Sequence, residues 1–479
     1  MKHVMVLAFF GFSGLSSTAQ PTSILWGAPA DCGAPGQGAL RPRIAVNADG
    51  NPVVLWGDSG PDRNYVAVGN GAGFSAPTEV STAGCVPAVA DWMGSSIAAV
   101  GNTVWVVMKA TPEESEPIYV RRSNDGGLSW GDTLRVDPFD GLVSRFPSID
   151  LIDPDTPVVQ YMQFDNGWNG ARQVVSHMMG GSFMPPVQVS SPFAPGEVCD
   201  CCPNQIVMDN DHAVALYRNA GADIRVMWGA VSTDGGASFP VGGLVDTTDW
   251  VLNACPSSGP DGYLDDDSIH YVWMSGANNG AKVYLGSALA SDLSLGGQRN
   301  AHPGQAQNLQ QNFPRIAGSG DTLGVVWQQA LGTQVEILFS WSVSGPAGLS
   351  APDTVNIDLT GAQRTPDIAF ANGAFHIVWG EQGSGHVRYR KATLVNAQHV
   401  DMYPALEDEY VVWPNPVGDV LHFNTTGPVP CEILDTEGRI VLGSHALIGG
   451  IDVHGLAPGR YVCRVGWKGK VRSIPFQKD

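Results

Sequence analysis

Short runs of alternating apolar and polar residues recur along most of the chain, and no stretch sustains a 3.6-residue apolar period. The clearest runs share an opening of a proline, one variable residue and an aliphatic residue. It occurs at Pro42-Arg43-Ile44, Pro87-Ala88-Val89, Pro147-Ser148-Ile149, Pro314-Arg315-Ile316 and Pro366-Asp367-Ile368, with looser copies at Pro203 and Pro256. These seven openings lie 45 to 60 residues apart. Most are followed by an Asp/Asn/Gly turn and a second apolar run ending in Trp56, Trp105, Tyr161, Tyr217, Trp273, Trp327 or Trp379. Proline suits the first position of a strand, where its missing N–H is not needed. A period near fifty residues with several short strands per unit predicts an all-β array of four-stranded antiparallel repeats. The expected form is a seven-bladed β-propeller, with six blades as the alternative.

Residues 22–27 read as one strand without a neighbour in sequence, whereas the seventh repeat offers only three strands. Unpaired backbone at such a seam is an edge liability, so 22–27 is expected to supply the missing outer strand. If each repeat runs from the axis outward, the first strand starts at one face and the second returns to it. That face then gathers residues near each proline (Arg41, Arg145, Cys201, Cys202, Cys255, Asn312 and Arg364). It also gathers those ending the second strands (Asp58, Lys109, Gln163, Arg218, Gln328 and Glu381). A concave polar mouth of this kind is the expected ligand site.

Composition sharpens this picture. The chain has 479 residues, 59 Gly, 34 Pro, 15% charged residues and a formal net charge of −20. So acidic a field argues against nucleic acid and anionic membrane surfaces as partners. Residues 1–19 read as an export signal: Lys2, an apolar run from Val4 to Phe12, and Ser17-Thr18-Ala19 before Gln20. That run is too short to span a bilayer, and no later stretch reaches membrane-span length. All eight cysteines lie beyond the signal, where export permits disulfides. Cys32 with Cys85, and Cys431 with Cys463, are each expected to form one.

Two eight-residue turns match each other: Ser123-Asn124-Asp125-Gly126-Gly127-Leu128-Ser129-Trp130 and Ser232-Thr233-Asp234-Gly235-Gly236-Ala237-Ser238-Phe239. Their residues are those of a stable hairpin, with Asp bonding its own turn and glycines taking positive φ. The pattern resembles the Asp box (BNR repeat) of the sialidase superfamily, across roughly residues 20–395. That resemblance implies a propeller and, for an active enzyme, three carboxylate-gripping arginines, a Tyr nucleophile with Glu, and an acid/base Asp. Arg41, Arg145 and Arg364 are the arginine candidates, Glu381 and Asp58 the carboxylates and Tyr217 the phenol. The family's aromatic-Arg-Ile-Pro segment is replaced here by Arg41-Pro42-Arg43-Ile44. The leading expectation is therefore a carbohydrate- or protein-binding role using Arg41, Arg145, Arg364, Asp58, Arg218, Asn312 and Glu381, with a sialidase-type hydrolase as the alternative and no cofactor.

Residues 396–408 read as a linker. Beyond it lie Trp413-Pro414-Asn415-Pro416, Asp435-Thr436-Glu437-Gly438-Arg439 and Leu456-Ala457-Pro458-Gly459-Arg460-Tyr461. In that order they resemble the C-terminal sorting domain of the Bacteroidetes type IX secretion system. This implies a small β-sandwich over 409–479, a partner in the secretion machinery, and a secreted or cell-surface destination.

Cys199-Asp200-Cys201-Cys202-Pro203 and Asn253-Ala254-Cys255-Pro256 open adjacent repeats, which brings four sulfurs toward one place. Two disulfides, for example Cys199–Cys255 with Cys201–Cys202, are the favoured expectation. A metal- or redox-active centre built on Cys199, Cys201, Cys202 and Cys255, with a soft ion such as zinc or copper(I) in the metal form, is the alternative. Asp265-Asp266-Asp267 reads as a solvated turn, and His270 and His376 as packing residues.

Overall fold

The computed structural model describes residues 22–396 and 412–479, apart from short stretches at 35, 61, 83, 191–192, 194–196, 304–308, 333, 359–360, 424–428, 437 and 468–469. The expected export signal, and the expected linker beyond residue 396, lie outside the described residues. The chain divides into two compact units, Met1–Asn396 and Ala397–Asp479.

In the first unit the described residues form an all-β fold of seven successive antiparallel arrays, each built on four strands. Their first strands are Leu40–Val46, Ser96–Val100, Val143–Asp150, Gln205–Met208, Asp261–Asp265, Leu309–Ser319 and Gln363–Ala371. Each of these lies beside the next, and the last returns to the first. The fifth and sixth arrays are also joined by a short parallel pairing of Gly280 and Ala281 with Leu309 and Gln310. Thr22–Trp26 pairs antiparallel with the end of His386–Asn396, from Thr22 opposite Asn396 to Trp26 opposite Ala392. The seventh array thus gains its outer strand from the other end of the unit.

The second strands are apolar almost throughout because sheets cover both their faces. Thr103–Lys109 is buried at every residue, and Val53, Val54, Leu55 and Trp56 are at most 1% exposed. The core lies between consecutive sheets. Leu55 and Val66 of the first meet Val104, Val106 and Met108 of the second. Val378 and Val387 of the seventh meet Val54 and Trp56 of the first.

The recurrent proline marks a bulge more than a strand start. In four first strands the register slips at the proline: between Leu40 and Arg43, Arg145 and Ser148, Asn312 and Arg315, and Arg364 and Asp367. The residue before each proline sits at positive φ, as do Arg41, Phe146, Phe313 and Thr365. A bulge leaves a residue outside the ladder, where a missing N–H costs nothing.

The variable residue after the proline ties one first strand to another. The Asp367 carboxylate accepts the N–H of Ile44 at 2.9 Å, that of Asp261 accepts Ile316 N–H at 2.8 Å, and Ser148 Oγ accepts Ile206 N–H at 3.1 Å. Arg315 bridges Asp261 at 2.9 Å and Asp367 at 3.2 Å, with all three side chains nearly buried. Beside them Arg43 is buried, its Nε unpartnered. Burial first, then the neighbouring charge of Arg315, lowers the Arg43 pKa.

Two expected strand starts are corrected. Pro87-Ala88-Val89 does not open the second array. Pro87 bridges Ala110, and the Ala88 N–H bonds the Lys109 carbonyl at the far end of the second strand. The first strand begins only at Ser96, which leaves residues 90–95 as a loop. Nor does Pro256 open the fifth array. The chain passes so near Pro203 that a Cβ on Gly259 would lie 2.2 Å from the Pro203 carbonyl oxygen, and the strand starts after Pro260.

In the two matching turns the first serine and the aspartate organise the loop. Ser123 Oγ donates to Asp125 at 2.7 Å and accepts the Gly127 N–H at 2.9 Å, while Asp125 accepts the Ser129 N–H at 2.9 Å. Ser232, Asp234, Gly236 and Ser238 repeat the arrangement. Gly127 (φ 98°) rests against Val53 of the preceding sheet, so a Cβ there would come within 2.7 Å of it. These turns lie at the opposite strand ends from the prolines and do structural work.

In the second unit the described strands form two antiparallel sheets. One holds Val412–Trp413, Val420–Phe423 and Gly450–Asp452, and the other Val429–Leu434, Ile440–Leu447, Gly459–Trp467 and Lys470–Lys478. Leu421, Phe423 and Ile451 share one core with Cys431, Ile433, Cys463 and Val465.

Candidate functional site: the mouth at the proline end

Three arginines from three arrays point at one loop. Arg41 Nη1 donates to the carbonyls of Gly94 at 2.8 Å and Ser95 at 3.4 Å. Arg364 Nη1 stands 3.2 Å from Asp91 Oδ2, which also accepts Gln382 Nε2 at 3.3 Å. Arg145 lies 5.1 Å from the centre of the Trp92 ring and donates toward Met93 Sδ at 3.7 Å. Arg145 is also flanked by the Phe146 and Trp168 rings at 4.5 and 5.3 Å, and paired with Glu113 at 2.7 Å. Arg41, Arg145 and Arg364 thus each engage segment 91–95 of the same chain. Nothing in that segment's own residues signals this role.

Beneath the loop the space is small. The pocket bordered by Arg41, Arg43, Trp92, Phe313 and Arg315 offers only about 30 Å³. Elsewhere, a groove of about 470 Å³ runs between the first and seventh arrays, at the strand ends opposite the prolines, past Asn51, Phe74, His376, Tyr389 and Lys391. There His376 Nδ1 and the Tyr389 hydroxyl are 2.8 Å apart, and Phe74 meets the Tyr389 ring edge-on at 5.2 Å.

The other sequence candidates are committed locally. Asp58 accepts the N–H of Gly60 in its own turn at 3.0 Å. Asn312 Oδ1 accepts the N–H of Phe313 at 2.8 Å. Glu381 is buried against Arg388 at 2.9 Å and Gln363 at 3.3 Å. Arg218, 1% exposed, donates to the carbonyls of Met274 at 2.7 Å, Ser258 at 3.2 Å and Arg225 at 3.4 Å. Tyr217 is wholly buried, with its hydroxyl 3.5 Å from the Val189 carbonyl and its pKa raised by burial, away from the mouth.

The four-sulfur group forms, with a different pairing from the one expected. Cys201, not Cys199, is bonded to Cys255. Cys199 and Cys202 are thiols whose sulfurs lie 2.8 Å apart, and Cys199 Sγ is 3.7 Å from Cys201 Sγ. Cys32 and Cys85 do not meet, since Cys32 packs between the seventh and first sheets and Cys85 between the first and second. Cys431 and Cys463 face each other at 3.5 Å as thiols.

Comparison with known proteins agrees with the second unit first. Residues 411–474 match the family model described as a secretion system C-terminal sorting domain. The chain thus carries a type IX sorting domain, which directs secretion or attachment at the cell surface. Among the described residues no helix is long and apolar enough to cross a membrane. No curated protein matches by sequence. Solved structures similar to this chain include three propeller-type neighbours. An α-L-arabinanase of Penicillium chrysogenum is 13% identical, covers 78% of this chain and 98% of its own, and has a TM-score of 0.42. PorZ, a surface component of the type-IX secretion system of Porphyromonas gingivalis, is 14% identical, covers 93% and 60%, and has a TM-score of 0.44. A sialidase of Trypanosoma rangeli is 10% identical, covers 95% and 89%, and has a TM-score of 0.42.

Proposed function

We propose that the first unit is a seven-bladed β-propeller closed by Thr22–Trp26, that residues 409–479 are a small β-sandwich, and that the exported protein binds an acidic carbohydrate at its axial mouth. The observation that carries the binding assignment is the convergence of Arg41, Arg145 and Arg364 on Asp91, Trp92 and the backbone at 94–95. The loop there offers what such a glycan would offer: a carboxylate on Arg364 and carbonyl oxygens on Arg41. Trp92 adds an aromatic face beside that charge. Arg364 and Asp91 are each more than a third exposed, so a ligand carboxylate or sulfate can compete for the guanidinium from solvent.

Binding suits the geometry better than hydrolysis. A glycosidase needs its acid/base and nucleophilic groups free and flanking a space the size of a sugar. Here Asp91, Glu113, Asp261 and Asp367 are each engaged by an arginine, and the space beneath the loop is only about 30 Å³. Tyr217, the phenol candidate, is enclosed in the core.

The test is binding of acidic oligosaccharides to the full chain, by array and then calorimetry, together with an assay for release of a fluorogenic sialoside. Saturable binding lost in Arg364→Ala, without turnover, supports the proposal. Turnover that disappears in the same variant replaces it with the hydrolase reading.

A further inference from the structure

A separate feature lies where the fourth and fifth arrays begin. Accessibility is graded through it: Cys255 is exposed, Cys201 half-buried, and Cys199 and Cys202 buried. The sulfurs form a continuous path, with Cys255 bonded to Cys201, Cys199 3.7 Å from Cys201, and Cys202 2.8 Å from Cys199. We infer that Cys199, Cys201, Cys202 and Cys255 form a thiol–disulfide exchange centre, in which one disulfide moves between a surface pair and a buried pair, and that extracellular thiols enter it at Cys255.

The internal exchange conserves electrons. The Cys199 thiolate attacks Cys201 Sγ; a Cys199–Cys201 bond forms, the Cys201–Cys255 bond breaks, and Cys255 leaves as a thiolate that takes up the proton Cys199 gave up. The Cys202 thiolate then attacks Cys199 Sγ; a Cys199–Cys202 bond forms and Cys201 leaves as a thiolate, reprotonated in turn. Each end state holds one disulfide and two thiols. Reduction from outside is equally explicit. One glutathione thiolate opens the Cys201–Cys255 bond to give a mixed disulfide on Cys255. A second releases oxidised glutathione and leaves Cys255 as a thiol.

Local chemistry favours the first attack. The contact with Cys202 comes first and the charge of Arg218 next in bringing the Cys199 thiol down to about 7, against the effect of burial. Ser257 Oγ, 3.1 Å from Cys255 Sγ, is placed to hydrogen-bond the departing thiolate.

The experiment uses the full chain equilibrated in glutathione buffers, quenched in acid, alkylated and mapped by peptide mass spectrometry. In the species holding one disulfide, Cys255 should be alkylated in at least about a tenth of molecules, with Cys199 and Cys202 protected together. Mixed disulfide with glutathione should appear on Cys255 first. In Cys202→Ala the buried disulfide cannot form, and a Cys199–Cys201 link should take its place. The wild-type measurement stands alone should that variant fail to fold. Cys255 protected in every one-disulfide molecule, glutathione on a buried cysteine first, or metal copurifying with four free thiols would each overturn the inference.

Discussion

Arg364 Nη1 and Asp91 Oδ2 stand 3.2 Å apart across 273 residues of sequence, and both side chains remain more than a third exposed. The pair is half structural and half available. It holds the 91–95 loop over the mouth while presenting a guanidinium whose partner can be replaced. Asp91→Ala should therefore strengthen binding of an acidic oligosaccharide, by about tenfold if one charge-assisted contact is released. Calorimetry on the two proteins checks this, with Tyr389→Ala in the distant groove expected to bind as the parent does.

Arg315 joins Asp261 to Asp367, and each aspartate in turn caps a backbone N–H of a neighbouring first strand. Removing one member of a buried ion network leaves the others without compensation. Arg315→Met is expected to cost about 3 kcal/mol or more of unfolding free energy, read from urea denaturation. Arg122→Ala, which breaks a solvent-exposed pair with Asp155, should change it by less than about 1 kcal/mol.

Trp26 rests edge-on against Phe339 at 5.7 Å and beneath the Arg390 guanidinium at 4.5 Å. It anchors the strand that completes the seventh array. Its replacement by Ala should cost roughly 2–3 kcal/mol, since the ring is only partly buried. Faster amide exchange should appear along residues 386–396, and protection in the second array should be unchanged.

His376 is 2% exposed, and burial, then the nearby Lys391 charge, brings its pKa down to about 4. The unfolded chain binds that proton near the ordinary value of 6.5, so the folded form is disfavoured by acid. Stability should fall as pH drops from about 6.5 to about 4 and then level off as far as this group is concerned, a loss of about 3 kcal/mol. His376→Gln should flatten that part of the profile in urea titrations at stepped pH.

Much of this architecture can be read from the chain, because the second strands are covered on both faces and so appear as apolar runs such as Val104 to Met108. The proline openings were informative for a reason the residues alone do not display: they mark a bulge at positive φ, as at Phe146-Pro147 and Thr365-Pro366. Where a proline served another turn, at Pro87 and Pro256, the expected strand was misplaced by several residues. The ties between first strands stayed hidden because the residue that makes them varies, from Ser148 to Asp261 to Arg315. Asp91-Trp92-Met93-Gly94-Ser95 has the composition of an ordinary connection, and only its meeting with three remote arginines gives it meaning. The sulfur group was visible as a cluster, but its pairing depends on which side chains the Cys199-to-Cys202 turn points inward.

The most direct measurement is calorimetric titration of acidic oligosaccharides into the full chain and into its Arg364→Ala variant. We expect saturable binding to the parent and at least tenfold weaker binding to the variant, which remains folded. Equal affinity for the two proteins, or no acidic glycan bound by the parent, would contradict a ligand site at the arginine-ringed mouth.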